Sequence, residues 1–237
     1  LALTDINNTS GCLNFVRLAS KYNIRPILGV DFRNGVQQQY VALAKNNAGF
    51  EIINRHLSHY LQNDEELSEQ APFEEGEPVF IIYPFHRFHN KKSQLKPWEF
   101  MGIRPSDLNK LRFSPWRFHK DKLVILQTAS FRHRRDFNTH RLLRSIDNNQ
   151  LLSKLNASQE GSVQDLMIPL EKLVELYKDY PFIIYNTRRI IEECSIYFEF
   201  GDQYPHKNKK TFTGSEDEDF ELVRKLCYEN LDYRYKN

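Results

Sequence analysis

An α/β fold is predicted by three features of the 237-residue sequence. Short apolar runs of strand length recur at residues 1–5, 26–30, 39–44, 79–83 and 123–126. Between several of them, longer segments place apolar side chains three and four residues apart, the spacing of a helix with one buried face. Strand and helix thus alternate along the chain, an order that builds parallel βα units.

The first run, Leu1 to Asp5, leads into a helix over 10–22. Thr9 or Ser10 can cap it, and Leu13, Val16, Leu18 and Ala19 give it an apolar side. The chain opens in mid-strand without an initiator Met, so further residues are expected upstream in the parent protein. The second strand, 26–30, ends at Asp31, and a third covers 39–44. Asn46 or Asn47 can cap the next helix, 48–62, which carries Phe50, Ile53, Leu57 and Leu61 at helical spacing. Residues 63–77 are acidic and polar and read as an exposed loop before the strand 79–83. A basic, irregular connection fills 84–97, and 100–103 fits another strand. Pro105 begins a short helix, since proline is tolerated in a first turn. After the buried strand 123–126, residues 136–148 suit a helix with Phe137, Leu142, Leu143 and Ile146 apolar. Residues 169–194 read as two helices broken at Pro181. A polar stretch with Pro205 and three lysines follows Phe200 and Gly201, and one more helix covers 218–235. The chain therefore divides near 200–215, into a main domain, 1–200, and a tail, 201–237; no internal repeat is present.

Bulk composition narrows the function classes. Hydrophobic residues are 40% and charged residues 27%, ordinary values for a globular protein, with 17 Phe and 12 Tyr. A net charge of +2 gives no global attraction to nucleic acid, so any such binding needs a local cluster. Cys12, Cys194 and Cys227 are far apart and without CxxC spacing, which argues against a disulfide framework or zinc site and for a reducing cytoplasm. No apolar run approaches the ~20 residues that span a bilayer, and no signal peptide is seen.

Functional side chains of parallel α/β sheets gather at the carboxyl ends of strands. Asp5, Asp31 and the segment 128–132 occupy such ends. Two carboxylates converging there could hold a divalent ion; equally, Asp5 could cap the following helix and Asp31 lie in a loop. Arg132-His133-Arg134-Arg135, beside His140-Arg141, is a dense basic cluster that reads either as a phosphate contact or as a solvated loop. The segment from His86 to Trp98 mixes basic and aromatic residues suited to stacking on single strands. The eight histidines lie in polar, basic contexts and read as surface residues, and the acids at 216–219 suit a helix N-terminus.

In register, these segments resemble the PHP domain of bacterial replicative DNA polymerases, the C-family alpha subunit. Ala2-Leu3-Thr4-Asp5-Ile6-Asn7 resembles the family's Ala-Leu-Thr-Asp-His-Gly, and Gly11 and Phe15 follow as in the family. Asn23 to Asp31 resembles Gly-Ile-Lys-Pro-Ile-Ile-Gly-Cys-Glu. Gln39 to Asn46, then Gly49 and Phe50, resembles His-Leu-x-Leu-Leu-Ala-Lys-Asn followed by Gly and an aromatic. Thr128 to His133, then Thr139-His140, resembles Thr-Asn-Asp-Val-His-Tyr and a helix with Ala-His. Asn186-Thr187 and Ile191-Glu192-Glu193-Cys194 resemble the segment that leads out of the domain toward the polymerase palm. The likeness is weakest over 63–120.

The resemblance implies a distorted (β/α)7 barrel lacking its first strand and helix, with a helical C-terminal lead into the palm. PHP domains that act as phosphoesterases or proofreading nucleases bind two or three metals through His, Asp and Glu, which activate water and neutralise phosphate. Here Asp5 and Asp31 remain as remnant ligand positions, while Ile6, Gln39, Ser130 and Arg132 replace ligands. No catalytic residue and no metal cluster is expected in this fragment, although the two carboxylates leave room for a residual divalent ion. Arg132 either pairs with Asp5 or Asp31 in the metal's place or points to solvent. Arg132, Arg134 and Arg135 are the candidate nucleic-acid contacts. The implied parent is a DNA-directed DNA polymerase that uses Mg2+ in its palm. The implied partners are the palm and thumb, a proofreading exonuclease subunit, and DNA through the parent, with no membrane. A PHP-type phosphoesterase or nuclease, and a free-standing docking adaptor, are the alternative classes.

Overall fold

The computed structural model describes every residue except 64, 93, 201–210, 236 and 237, so the polar stretch after Phe200 lies outside the described residues. Six strands among those described form one sheet in chain order, curled as a half-barrel. They are β1 (Ala2–Leu3), β2 (Ile27–Asn34), β3 (Gln37–Ala44), β4 (Val79–Pro84), β5 (Glu99–Ile103) and β6 (Leu123–Ile125). The α/β class is as the sequence implies, but the pairing is mixed. β1–β2, β4–β5 and β5–β6 are parallel, whereas β2–β3 and β3–β4 are antiparallel. The reason is local. β2 does not stop at Asp31 but continues to Asn34, and Gly35 takes φ 58° in a two-residue turn that folds β3 straight back. Such a turn needs positive φ, and it leaves no room for a crossover helix. Asp31 is therefore a mid-strand residue opposite Val41, not a strand-end residue.

Both faces of the sheet are covered, which is why its strands read as unbroken apolar runs. One face carries Val30, Phe32, Tyr40, Ala42, Ile81, Tyr83, Met101 and Ile103. Ile53 and Leu57 of α2 (Asn47–Asn63) pack on that side. The other face carries Val41, Leu43, Phe80, Ile82, Phe100 and Val124 and meets Ile190 of a later helix. Asn46 caps α2 by accepting the Gly49 N–H on Oδ1 at 3.0 Å.

Several expected faces move. In α1 (Cys12–Ala19), Cys12 and Ala19 are buried with Phe15 and Val16 partly so, while Leu13 and Leu18 are exposed. The buried set is the i, i+3, i+4, i+7 series from Cys12. Gly11 takes the cap position without a side-chain bond, because the Thr9 hydroxyl donates to Asn54 Oδ1 at 2.7 Å. Leu61 of α2 is also exposed. The segment 63–77 is not simply an exposed loop: Leu67, Ala71 and Phe73 enter the core. Asn34 clamps Leu67 through two 2.9 Å bonds, and the Tyr83 hydroxyl accepts the Ala71 N–H at 3.0 Å.

After β4 comes a single helical turn, α3 (Phe85–Phe88), and after β5 a 3-10 turn from Pro105 precedes α4 (Leu108–Phe113). α5 (Arg134–Asp147) buries Phe137, but Leu142, Leu143 and Ile146 are 51%, 59% and 66% exposed. Polar ties hold this helix instead: Arg141 pairs with Glu160, Arg144 donates to the Gln159 carbonyl, and Gly161 N–H donates to His140 Nε2. α6 (Leu170–Leu176) and α7 (Pro181–Glu193) break at Pro181, the first residue of α7.

Residues Leu1–Phe198 and Glu199–Asn237 form two compact units. In the second, the expected single helix is interrupted at Asn230 into α8 (Glu216–Glu229) and α9 (Leu231–Tyr235). Ser215 caps α8 by accepting the Glu218 N–H at 3.2 Å, and four acids fill its first turn, where the helix dipole favours them. No described helix is long and apolar enough to cross a membrane.

Candidate functional site

The sheet does bring Asp5 and Asp31 side by side. Past β1 the chain keeps a parallel register with β2, so the Asp31 N–H donates to the Asp5 carbonyl at 3.2 Å and the Asn7 N–H to the Asp31 carbonyl at 3.1 Å. Asp5 is exposed and Asp31 is 2% exposed. The partner of Asp31 is Arg33. Its Nη2 lies 2.6 Å and its Nε 3.0 Å from Asp31 Oδ2. Residues i and i+2 share one face of a strand, which sets the two side chains together. Asn7, in the left-handed region at φ 46°, fixes Arg33 from the other side. Its Nδ2 donates to the Arg33 carbonyl at 2.8 Å, and its Oδ1 accepts the Arg33 N–H at 2.9 Å.

A second ion pair adjoins the first. Arg104, just past β5, lies 3.2 Å from Asp165 Oδ1 and reaches toward Gln38 Oε1 and Thr128 Oγ1 at 3.5 Å. Burial pushes the Asp165 carboxyl above its ordinary value, against the pull of the Arg104 and Arg33 guanidinium groups and with the Asp31 carboxylate adding to the rise. The Asp165 carbonyl accepts the N–H groups of Ser130 and Phe131 at 2.9 and 3.0 Å, tying this loop to the chain beyond β6. Four buried side-chain atoms here, Asp31 Oδ1, Gln38 Nε2, Gln39 Oε1 and Arg104 Nε, have no hydrogen-bond partner among the described residues. The centre of the site is thus two guanidinium–carboxylate pairs, Arg33–Asp31 buried and Arg104–Asp165 with its arginine half-buried.

Ile6 is 49% exposed beside Asp31 and cannot coordinate anything. Gln39 is buried, with Nε2 donating to the Gln37 carbonyl at 3.3 Å. Ser130 and Arg132 are exposed. Arg132 contributes its N–H to Asp136 at 3.2 Å, and its guanidinium pairs with neither Asp5 nor Asp31 among the described residues. Arg132 thus follows the solvent-facing alternative, and the cation paired with Asp31 is Arg33. A D-x-R alternation inside an extended run signals such a pair, and Arg104 lies one residue past the apolar strand. Asp165 has no signal in the sequence, because a loop residue's burial depends on the fold around it.

Among the described residues, no three His, Cys, Asp or Glu side chains gather in a way that could hold an ion. The guanidinium of Arg33 also places a positive charge against the oxygen a metal would take.

The basic clusters differ from one another. Arg132, Arg134 and Arg135 are exposed at the start of α5. The 86–98 segment, by contrast, turns its large rings inward: Phe88 is 1% exposed, Trp98 is half-buried, and Phe85 just before the segment is 0% exposed. Nor are all histidines on the surface. His56 is half-buried against Phe32 and Phe73, with Nε2 3.0 Å from the Tyr40 hydroxyl, and burial lowers its pKa.

No family model matches the chain. It is 22% identical over 266 aligned positions to the DNA polymerase III subunit alpha of Halalkalibacterium halodurans, which covers 99% of this chain and 23% of that protein. It is 21% identical over 241 positions to the DNA polymerase III subunit alpha of Buchnera aphidicola, covering 86% of this chain and 21% of that protein. The chain spans less than a quarter of the length of these curated relatives. It therefore carries low-identity homology, over most of its length, to the alpha subunit of DNA polymerase III.

Proposed function

We propose that this chain is a PHP-type domain of a bacterial replicative DNA polymerase whose metal site has become a buried ion-pair network and whose role is structural. The observation that carries this reading is Arg33 seated on Asp31. The carboxylate that aligns with a metal ligand is already neutralised by a guanidinium, and Ile6, Gln39, Ser130 and Arg132 offer no ligand set in its place. An ion pair of this kind braces a cleft without activating water, so this fragment performs no catalysis alone.

In this reading residues 1–200 are the PHP domain and 201–237 the lead toward the palm. The palm supplies the Mg2+-dependent nucleotidyl transfer. The domain braces palm and thumb and offers a surface to a separate proofreading exonuclease, in the cytoplasm. Arg132, Arg134 and Arg135 add weak phosphate contacts to the DNA held by the parent. The homology to two alpha subunits supports the polymerase part of the proposal. The native reading frame tests it: it is expected to continue past Asn237 into a palm with its own aspartates. A frame that stops near Asn237 would overturn the assignment in favour of a free-standing adaptor.

A further inference from the structure

Residues 108–120 contain four Lys or Arg side chains, one His and no acid. They form a tight corner: α4 followed by the 3-10 turn Pro115–Phe118. Two buried anchors hold the corner rigid. Leu111 is 0% and Trp116 3% exposed. The Trp116 Nε1–H donates to the His89 carbonyl at 2.9 Å, and Ser114 Oγ accepts the Trp116 N–H at 3.2 Å. What the corner turns outward is unusual for this molecule. Phe113 is 83% and Phe118 72% exposed, while every other phenylalanine of Leu1–Phe198 is buried or half-buried. Arg117 links the two rings' elements. Its Nη1 donates to the Arg112 carbonyl at 2.9 Å, and its guanidinium lies 4.6 Å from the Phe118 ring centroid. Lys110, Arg112, Arg117 and Lys120 enter no ion pair among the described residues. The nearby Asp107 is buried, its carboxylate accepting the Arg104 N–H.

We propose that this corner is a binding surface for single-stranded nucleic acid, with Phe113 and Phe118 stacking on bases and Lys110, Arg112, Arg117 and Lys120 meeting phosphates. Charge complementarity selects this occupant. Unpaired cations flanking flat exposed rings match a polyanion that also offers π-faces, and such stacking is indifferent to base identity. An acidic peptide would answer the cations and leave the rings in water. A membrane surface calls for a longer amphipathic helix than the six residues of α4. The inference stands on this surface alone, independently of the Asp31–Arg33 reading.

Fluorescence anisotropy of the whole chain with labelled oligo(dT) and oligo(U) of about 15 nucleotides, a length within the range of single-strand sites, tests it. The Phe113→Ala/Phe118→Ala variant is expected to weaken binding of whichever oligonucleotide binds by about tenfold or more, since stacking is worth ~1–3 kcal/mol per base and 1.4 kcal/mol is tenfold. Its melting temperature should be unchanged, both rings being outside the core. Arg112→Gln/Arg117→Gln should flatten the salt dependence. The proposal is overturned if neither oligonucleotide binds at low salt, if the ring variant binds like the parent, or if phosphatidylserine vesicles bind where oligonucleotides do not.

Discussion

Arg33→Ala is expected to lower the free energy of unfolding by about 3–5 kcal/mol, the penalty for removing one partner of a buried pair. Arg33 and Asp31 are 9% and 2% exposed at the side chain, so water cannot replace the lost guanidinium. Asp31 Oδ1 already lacks a partner, and the variant leaves both carboxylate oxygens unanswered in a buried strand. The neighbouring Asp165, itself held up by burial, would lose one of its two compensating cations. Urea denaturation monitored by circular dichroism reads the effect as a lower midpoint at constant slope. The companion variant Asp31→Leu/Arg33→Met, which removes both charges, is expected to recover most of the loss, because a buried ion pair and a well-packed apolar pair are often similar in energy. A loss below about 1 kcal/mol for Arg33→Ala, the scale of an exposed pair, would show that the pair does not brace the cleft.

Gly49→Ala comes next in size, and its sign is diagnostic. Inside an ordinary helix, replacing Gly by Ala stabilises by about 1 kcal/mol. Here a Cβ on Gly49 would stand 2.0 Å from the Pro78 carbonyl oxygen and 3.0 Å from its carbon. Both are backbone atoms, and that oxygen also accepts the Lys45 N–H at 2.9 Å. The clash can be relieved only by tilting α2 away from β3 and β4, which opens the contacts of Ile53 and Leu57. The expected outcome is a destabilisation of about 3 kcal/mol, the upper range of overpacking, read by the same urea titration. A stabilised variant would mean that α2 does not lie against the chain before β4.

The parts of the fold legible in the sequence are those set by local pattern. The runs at 26–30, 39–44, 79–83 and 100–103 became strands because both faces of the sheet are covered and every position tolerates an apolar side chain. The direction of pairing was not legible. For β2–β3 it turns on Gly35, one residue able to reverse the chain where a crossover is expected. The three apolar residues within 63–77 were hidden by their acidic neighbours, since Leu67, Ala71 and Phe73 follow no helical or strand period. In α5 the apolar residues were legible but their burial was not, because side chains such as Arg141 and His140 fix the helix from its polar side. At the site, the strand-end pattern drew attention to Asp5 and Asp31, which adjoin across neighbouring strands; of the two readings of Arg132, pairing with Asp5 or Asp31 or pointing to solvent, its exposed side chain follows the second, and the cation paired with Asp31 is Arg33. Strand alternation carries that pairing once β2 is known to run past Asp31.

The proposed exchange of a metal for a guanidinium is tested most directly by calorimetric titration of Mn2+ into EDTA-treated chain, with melting curves recorded in parallel. A resident ion at a hundred times its Kd would add about 2.7 kcal/mol, several degrees in melting temperature for a chain of this size. With Arg33 in place, no saturable uptake is expected, and EDTA or Mn2+ should shift the melting temperature by less than about 1 °C, well below that range. Stoichiometric Mn2+ uptake abolished by Asp31→Asn, or a fall of several degrees on adding EDTA, would contradict it.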